Sequence, residues 1–349
     1  MQGIDLWIYD EELTALGVVD NYNSLIWANR FRQCGDFEIY VSFSSDLAEL
    51  LQVGRWVVRA DDDMVGIIET VETGTDEENG DYLQATGRCL RQILGRRIIW
   101  NQTTLGGTAE SGLRKLVNEA IISPAITARK YSKLVLAAAH GYTETVEAQY
   151  TGDNLLDVVE TLCASKNYGF KITIDTTQLV LDFYKGTNRA MTQYENPRVI
   201  FSEDNDNLRA TTFKLDTTNY KTVALIAGEG EGSDRRRVTV ERTEDTAGLH
   251  RRELYVDARD LSTNEGEIST TEYDAQLAER GKTGLAEAPI VQSMEGTIEP
   301  MQMYTYKKDY FLGDTVTVVN KHGIAVDTQV LEVVEVWDED GYTCTPTFG

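Results

Sequence analysis

Along the first hundred residues apolar and polar positions alternate with a period of two, the pattern of half-buried strands. Runs rich in Val, Ile, Trp, Tyr and Phe at Ile4 to Tyr9, Leu25 to Arg30, Phe37 to Phe43, Arg55 to Ala60, Met64 to Val71 and Tyr82 to Thr86, separated by turn-formers, predict six strands. Between the last two, residues 72–81 gather Asp76, Glu77, Glu78 and Asp81 around Asn79-Gly80. This predicts a long hairpin with a solvated acidic tip; a calcium loop would need a ladder of oxygen ligands, a turn Gly and a distant Glu.

Between about residues 105 and 170 the period lengthens to 3.6. Leu113, Leu116, Val117, Ala120 and Ile121 share a helical face after Thr108, and Pro124 closes that segment. A second amphipathic helix follows Asp153 with Leu155, Val158, Val159 and Leu162 as its stripe and Gly169 as its C-terminal stop. Phe170 to Asp175 and Leu179 to Tyr184 then predict a hairpin. After Pro197 strands resume at Val199 to Ser202, Arg209 to Leu215, Thr222 to Ala227, Val238 to Arg242 and Leu254 to Val256. A helix from Thr271 to about Glu287 interrupts them, and Thr315 to Asn320, Thr328 to Trp337 and Tyr342 to Thr345 close the chain, the last two joined by the acidic tip Asp338-Glu339-Asp340-Gly341. The expected fold class is a β-rich α+β protein. Residues 1–104 form a first β unit, 105–190 an α/β insert, and 191–349 a second β unit with a helical insert near 240–290.

The length of 349 residues is enough for two to three domains. A formal net charge of −24 argues against a duplex-DNA-binding surface, which needs clustered cations. With 41% hydrophobic residues, 5 Trp, 17 Tyr and 9 Phe, the chain is nonetheless too apolar for a disordered polyanion. Cys34, Cys89, Cys163 and Cys344 lie far apart with no C-x-x-C pair, so they read as buried free thiols. No basic leader and no run of eighteen apolar residues is present, so neither a signal peptide nor a membrane span is expected.

The chain holds little that reads as catalytic chemistry. His140, His250 and His322 stand in no metal-ligand spacing. Gly281-Lys282-Thr283 imitates the end of a phosphate loop, but Gln276 replaces its first Gly and the preceding residues are helical. Gly228-Glu229-Gly230-Glu231-Gly232 has Ser233 at the third fingerprint position and acids where a pyrophosphate would lie. Asp204-Asn205-Asp206-Asn207 is followed by Leu208 and Arg209 in place of an oxygen ligand and the turn Gly, so a β-turn is the expectation. No G-x-S-x-G elbow occurs. A glycosidase pair drawn from 57 acids leaves no local signature. No catalytic residue, metal or cofactor is therefore expected.

One basic concentration stands out. Arg235-Arg236-Arg237 is followed by Arg251-Arg252 and then Asp257-Ala258-Arg259-Asp260. Guanidinium forks pair bidentately with carboxylates, so Arg235, Arg236, Arg237, Arg251, Arg252, Asp257 and Arg259 are candidate subunit-interface residues. The same residues equally fit outward-facing decoration of a strand edge, where ion pairs contribute about 0–1 kcal/mol.

Several segments in order resemble one family. They are Leu25-Ile26-Trp27 with Arg30-Phe31 and Gly35-Asp36-Phe37-Glu38-Ile39; Gly87-Arg88-Cys89-Leu90 with Ile93-Leu94 and Arg96-Arg97-Ile98-Ile99; and Tyr168-Gly169-Phe170 with Leu181-Asp182-Phe183 and Gly186. Val199-Ile200-Phe201-Ser202 before Asn207-Leu208, then Leu249 to Glu253 with Val256 to Asp260, and Leu312 to Val316 complete the series. Together they are similar to the tail hub, or baseplate hub, proteins of long-tailed phages. The resemblance implies two tube-like β-barrel domains with smaller α/β inserts and no enzyme activity. It implies a homotrimeric ring at the distal tail of the virion that adapts a sixfold tube to a threefold tip. The implied partners are the tail tube or distal tail protein, the tape-measure protein and a tail fibre or spike. Genomic DNA would pass through an acidic lumen without specific binding. The chain ends soon after its last hairpin, so fibre or peptidoglycan-hydrolysing extensions are not expected. Two alternatives from other classes are a tail-associated glycosidase or peptidase, and a carbohydrate-binding adhesin using Trp100 or Trp337.

Overall fold

A computed structural model describes residues 4–77, 80–205, 207–263, 266, 268–298 and 303–349. The first period-two runs fold as β1 (Leu6–Tyr9), β2 (Ala15–Val19), β3 (Ser24–Arg30), β4 (Asp36–Ser42), β5 (Trp56–Arg59), β6 (Val65–Asp76) and β7 (Gly80–Cys89), with a short helix α1 (Ser45–Leu50) after β4. In β4, Phe37, Ile39 and Val41 are buried while the residues between them are half-buried, as alternation requires. β2 was not expected; Asp10 accepts hydrogen bonds from Glu12 N and Thr14 N at 2.9 and 2.8 Å and turns the chain back onto β1. The acidic hairpin is shorter at its tip than its composition implies. Pairing continues from Glu72↔Gln84 to Asp76↔Gly80, and Thr75 Oγ1 donates to Asp81 across the ribbon at 2.7 Å. Glu78 and Asn79 of the expected tip lie outside the described residues.

The insert contributes β8 (Thr103–Leu105), α2 (Ala109–Val117), β9 (Leu134–Leu136), β10 (Ala148–Tyr150), α3 (Leu155–Lys166), β11 (Gly169–Asp175) and β12 (Gln178–Tyr184). Thr108 caps α2 by accepting from Ser111 N at 3.3 Å, and Asn154 caps α3 through Leu156 N at 2.9 Å. α3 ends on Asn167 in the left-handed region (φ 57°), so Gly169, expected as the stop, opens β11 instead. Leu113, Leu116, Val159 and Leu162 share one apolar core with Trp56, Val65 and Ile67 of β5 and β6.

The remaining elements are β13 (Ile200–Ser202), β14 (Leu208–Asp216), β15 (Val223–Ala227), β16 (Arg237–Glu241), β17 (Glu253–Asp257), α4 (Thr270–Ala286), β18 (Val291–Ile298), β19 (Thr315–Val319), β20 (Ala325–Asp338) and β21 (Gly341–Phe348). Among the described residues, thirteen strands form one sheet in the order β14-β18-β21-β20-β3-β4-β7-β6-β5-β1-β2, with β19 beside β20 and β13 beside β19. β20 has three neighbours. Its first part pairs with β19, and residues Glu332 to Trp337 pair with β3 on one side and β21 on the other. The two β units are therefore one continuous sheet joined at β20 and β3. Among the described residues neither of the two barrels that the family resemblance implied is seen closed: β2 pairs only with β1 and β14 only with β18.

Three strands expected in the second unit instead form a separate sheet, β16-β15-β17, covered on one face by α4. Ala224, Ile226, Tyr273, Leu277 and Leu285 make its core. α4 lies so close to β15 that a Cβ on Gly281 would sit 2.3 Å from Ile226 Cδ1. The Gly281-Lys282-Thr283 segment is thus a close-packing site within a helix and not a phosphate loop.

Candidate interaction surface and the joint behind it

The small sheet gathers the predicted arginine cluster. Its uncovered face carries three rows across β16, β15 and β17: Glu241, Val223 and Glu253; Thr239, Leu225 and Tyr255; Arg237, Ala227 and Asp257. Arg251 spans the first row, donating to Glu253 at 2.6 Å and Glu241 at 3.1 Å. Arg235 reaches Asp257, Tyr255 Oη at 2.7 Å and the Ala227 carbonyl at 2.6 Å. Arg259 donates to the same Asp257 at 2.6 Å. The Arg259 and Arg235 hydrogen bonds hold the Asp257 carboxyl down to about 2. Arg236 forks onto Asp274 of α4, and Arg252 bonds the Thr217 carbonyl. Among the described residues Arg237 bonds only the Gly232 carbonyl, at 3.2 Å. The structure therefore brings all seven candidates around one sheet, most of them paired within the chain. Arg237 stays exposed, as does Arg259 with 69% of its side chain accessible.

The segments that carry the family resemblance meet elsewhere. Fully buried Phe31, just after β3, is gripped by glycines from two other regions: a Cβ on Gly169 would lie 2.2 Å from its ring and one on Gly313 (φ +86°) 2.3 Å from it. Asp314 accepts from Thr187 N and Arg189 Nε, each at 2.7 Å, and ties the end of β12 to β19. Beside this joint, buried Arg59 at the end of β5 donates to Asp61 at 2.7 Å and to Glu335 of β20 at 3.0 Å, and lies 4.4 Å from the centre of the Trp337 ring. Lys307 adds contacts of 2.7 Å to Asp62 and 3.0 Å to Glu335. Burial works against the Arg59 charge, yet Asp61, Glu335 and Asp62 outweigh it and hold the guanidinium above its ordinary range. This network was not foreseen, because Lys307 lies 245 residues from Asp62 and Glu335 lies 276 residues from Arg59 along the chain.

The other chemical candidates resolve locally. His140 stacks on Tyr142 and contacts Asp182 at 2.9 Å, His250 is exposed, and His322 sits in a turn built by Asn320. No group of three or more His, Cys, Asp or Glu among the described residues could hold a metal. Glu229 N donates to Tyr273 Oη at 2.8 Å, so that glycine-rich turn is already fastened. Of the Asp204 to Asn207 turn, Asp206 lies outside the described residues, while Asn207 Oδ1 accepts from Ser202 N at 2.8 Å. All four cysteines are free thiols, with Cys34 half-buried. Buried Arg91 bonds the Arg30 carbonyl at 2.6 Å and has no carboxylate partner among the described residues. Burial opposes ionisation of the adjacent Cys89, but a hydrogen bond from Cys34 and the Arg91 charge outweigh it and hold that thiol below its ordinary range. Trp337 is buried, whereas Trp100 is exposed with Arg129 5.3 Å from its ring centre. Burial holds the Glu160 carboxyl above its ordinary range.

The whole molecule is similar to solved phage tail proteins. A tail protein from Neisseria meningitidis MC58 matches with TM-score 0.58 and 17% identity over 99% of this chain and 96% of that one. The 43 kDa tail protein of prophage MuSo2 from Shewanella oneidensis matches with TM-score 0.61 and 12% identity over 99% and 98%. Prophage tail protein gp18 from Listeria monocytogenes EGD-e matches with TM-score 0.52 and 13% identity over 98% and 94%. No curated protein sequence matches. A family model, that of the Siphovirus ReqiPepy6 Gp37-like proteins, matches residues 5–349. With the fold of phage tail proteins over its whole length and this match across nearly every residue, the chain belongs to the Siphovirus ReqiPepy6 Gp37-like family.

Proposed function

We propose that this phage tail structural protein, a component of the virion, is the hub subunit at the distal end of the tail. Three copies form a ring that passes from sixfold to threefold symmetry and lets DNA through. The observation that carries this reading is the open thirteen-stranded sheet, whose terminal strands β2 and β14 each keep one edge unpaired among the described residues. Unpaired edges invite pairing with another chain, and a ring of copies satisfies them. In this reading the two arcs of the sheet, β2 to β3 and β20 to β14, are the two tube-like units of each subunit. Six such arcs line the channel. The net charge of −24 fits a wall that phosphate slides past, since cationic walls would retain DNA by counterion release.

In the same reading the uncovered face of β16-β15-β17 makes a subunit contact, with the exposed Arg237 and Arg259 among its cations. The tail tube or distal tail protein, the tape-measure protein and a fibre or spike are the neighbours. Electron micrographs of the purified protein test the assembly: a threefold ring with an axial hole is expected, burying on the order of 2,000 Å² per contact. Arg237→Glu with Arg259→Glu is expected to abolish the ring while the subunit still melts cooperatively. A ring that survives this double reversal would remove the arginine face from the contact, and a monomer at every concentration and with every tail neighbour would overturn the hub.

A further inference from the structure

A groove of about 670 Å³ lies between β10 and α3 on one side and β17 and α4 on the other. Its lining takes in four consecutive residues of β17, Leu254 to Asp257, and all of β10. Side chains in a strand alternate between faces, so consecutive lining residues mean that the strand edges face the groove. The ladders agree. Ala258 N–H donates to the Ala227 carbonyl at 2.8 Å and the Arg252 carbonyl accepts from Thr222 N at 2.8 Å, which turns the even-numbered residues of β17 toward β15. The N–H and C=O of Tyr255 and Asp257 therefore point along the free edge. On β10, Val146 N–H donates to the Gly107 carbonyl at 2.9 Å, and the same register leaves the backbone groups of Gln149 on its free edge.

A second, independent observation concerns side chains. Gln276 of α4 is 1% exposed, lines the groove, and has no partner for either amide atom; Gln149, 2% exposed, has none for Nε2. Buried polar groups in folded proteins are nearly always satisfied, and an unpaired one costs about 1–3 kcal/mol. Charge supplies a third. Glu279 is neutralised by Lys166 and Lys282, and Arg280 by Asp260, but Asp157 and Glu287 have no ion pair among the described residues. These two carboxylates also line an adjoining cavity of about 520 Å³, so the groove continues past them.

We propose that this groove binds an extended, cation-bearing peptide segment of another protein, added as a strand along β17. The segment's backbone bonds Tyr255 and Asp257, its amides satisfy Gln276, and a Lys or Arg side chain seats between Asp157 and Glu287. Main-chain bonding along a sheet edge supplies affinity, and the two carboxylates select a basic segment from a chain that is otherwise strongly acidic. The site stands whether or not the chain closes a ring.

The test uses the full chain and an acetylated, amidated hexapeptide alternating Val and Thr around one central Lys, read by fluorescence anisotropy and residue-resolved amide exchange. Saturable binding is expected, with exchange at Tyr255 and Asp257 slowed by about tenfold or more. The same peptide with Glu for Lys is expected to bind about tenfold more weakly or worse. Asp157→Asn with Glu287→Gln should remove that preference, and N-methylating the peptide amides should abolish binding. Gln276→Met is expected to melt no lower than the parent yet lose the peptide. Equal affinity for the Lys and Glu peptides, or binding without protection of Tyr255 and Asp257, overturns the proposal. So does protection of those amides by self-association alone, which would make a second copy the occupant.

Discussion

Arg59 shows why single residues matter at the junction of the sheet. It is buried, faces Asp61, Asp62 and Glu335, and shares them with Lys307, so two cations serve three carboxylates. Removing a cation is worse than removing an anion. Arg59→Met leaves three carboxylates to one ammonium and is expected to cost about 3–5 kcal/mol in a urea titration, partly recovered near the acid range where carboxylates protonate. Glu335→Gln leaves two charges of each sign and should cost markedly less; equal losses would show that packing, not charge balance, holds the site. In the insert, Glu144 accepts from Lys185 and from Tyr168 Oη at 2.8 Å, and the Lys185 bond leads in holding its carboxyl down to about 2. Its folded value lies below its unfolded one, so its contribution is present above about pH 4.5 and disappears as the pH falls toward 2. Glu144→Gln is expected to flatten that part of the stability profile, and an unchanged acid limb would show that other carboxylates set it.

Among the elements, α4 illustrates how packing overrides propensity. Ala is better than Gly within a helix by about 1 kcal/mol. A Cβ at residue 281 nevertheless meets Ile226 Cδ1 at 2.3 Å and Cγ1 at 2.8 Å, and overpacking of this kind costs about 1–3 kcal/mol. Gly281→Ala is therefore expected to lower the thermal midpoint, measured by calorimetry; a rise would mean that the helix can back away from β15. β20 works at the same scale. Its fourteen residues serve β19, β3 and β21 in turn, so a strand that the alternation marks as ordinary becomes the seam of the sheet. Phe31 and the two glycines against it fasten the insert and the C-terminal region to that seam.

At the scale of the molecule, charge governs association. A chain with 57 acids and 33 Lys and Arg repels itself and its copies, and salt screens exposed charges over about 10 Å at 0.1 M. Raising NaCl from about 10 mM to about 150 mM is therefore expected to raise the melting temperature and to favour assembly, followed by scanning calorimetry and light scattering. A fall in both would mean that attractive ion pairs, such as those of the arginine face, outweigh the repulsion. The open edges at β2 and β14 belong to this scale too, since nothing among the described residues pairs with them.

The sequence by itself determined the elements that depend on local rules. Period-two alternation located β3, β4 and β7, the 3.6 period located α2, α3 and α4, and the order of short segments pointed to the tail-protein family. It also located the arginine cluster. What it could not carry were relations between distant residues: that Arg59 would meet Glu335, that Phe31 would pack on Gly169 and Gly313, and that β20 would join β3 in one sheet. Short strands such as β8, β9 and β10 escaped for the same reason, being three residues long and stabilised by neighbours rather than by their own pattern. Periodicity records which face of an element is buried. Which partner buries it, and whether a free edge stays open for another chain, is decided only when non-local contacts compete for the same hydrogen bonds and the same apolar surface.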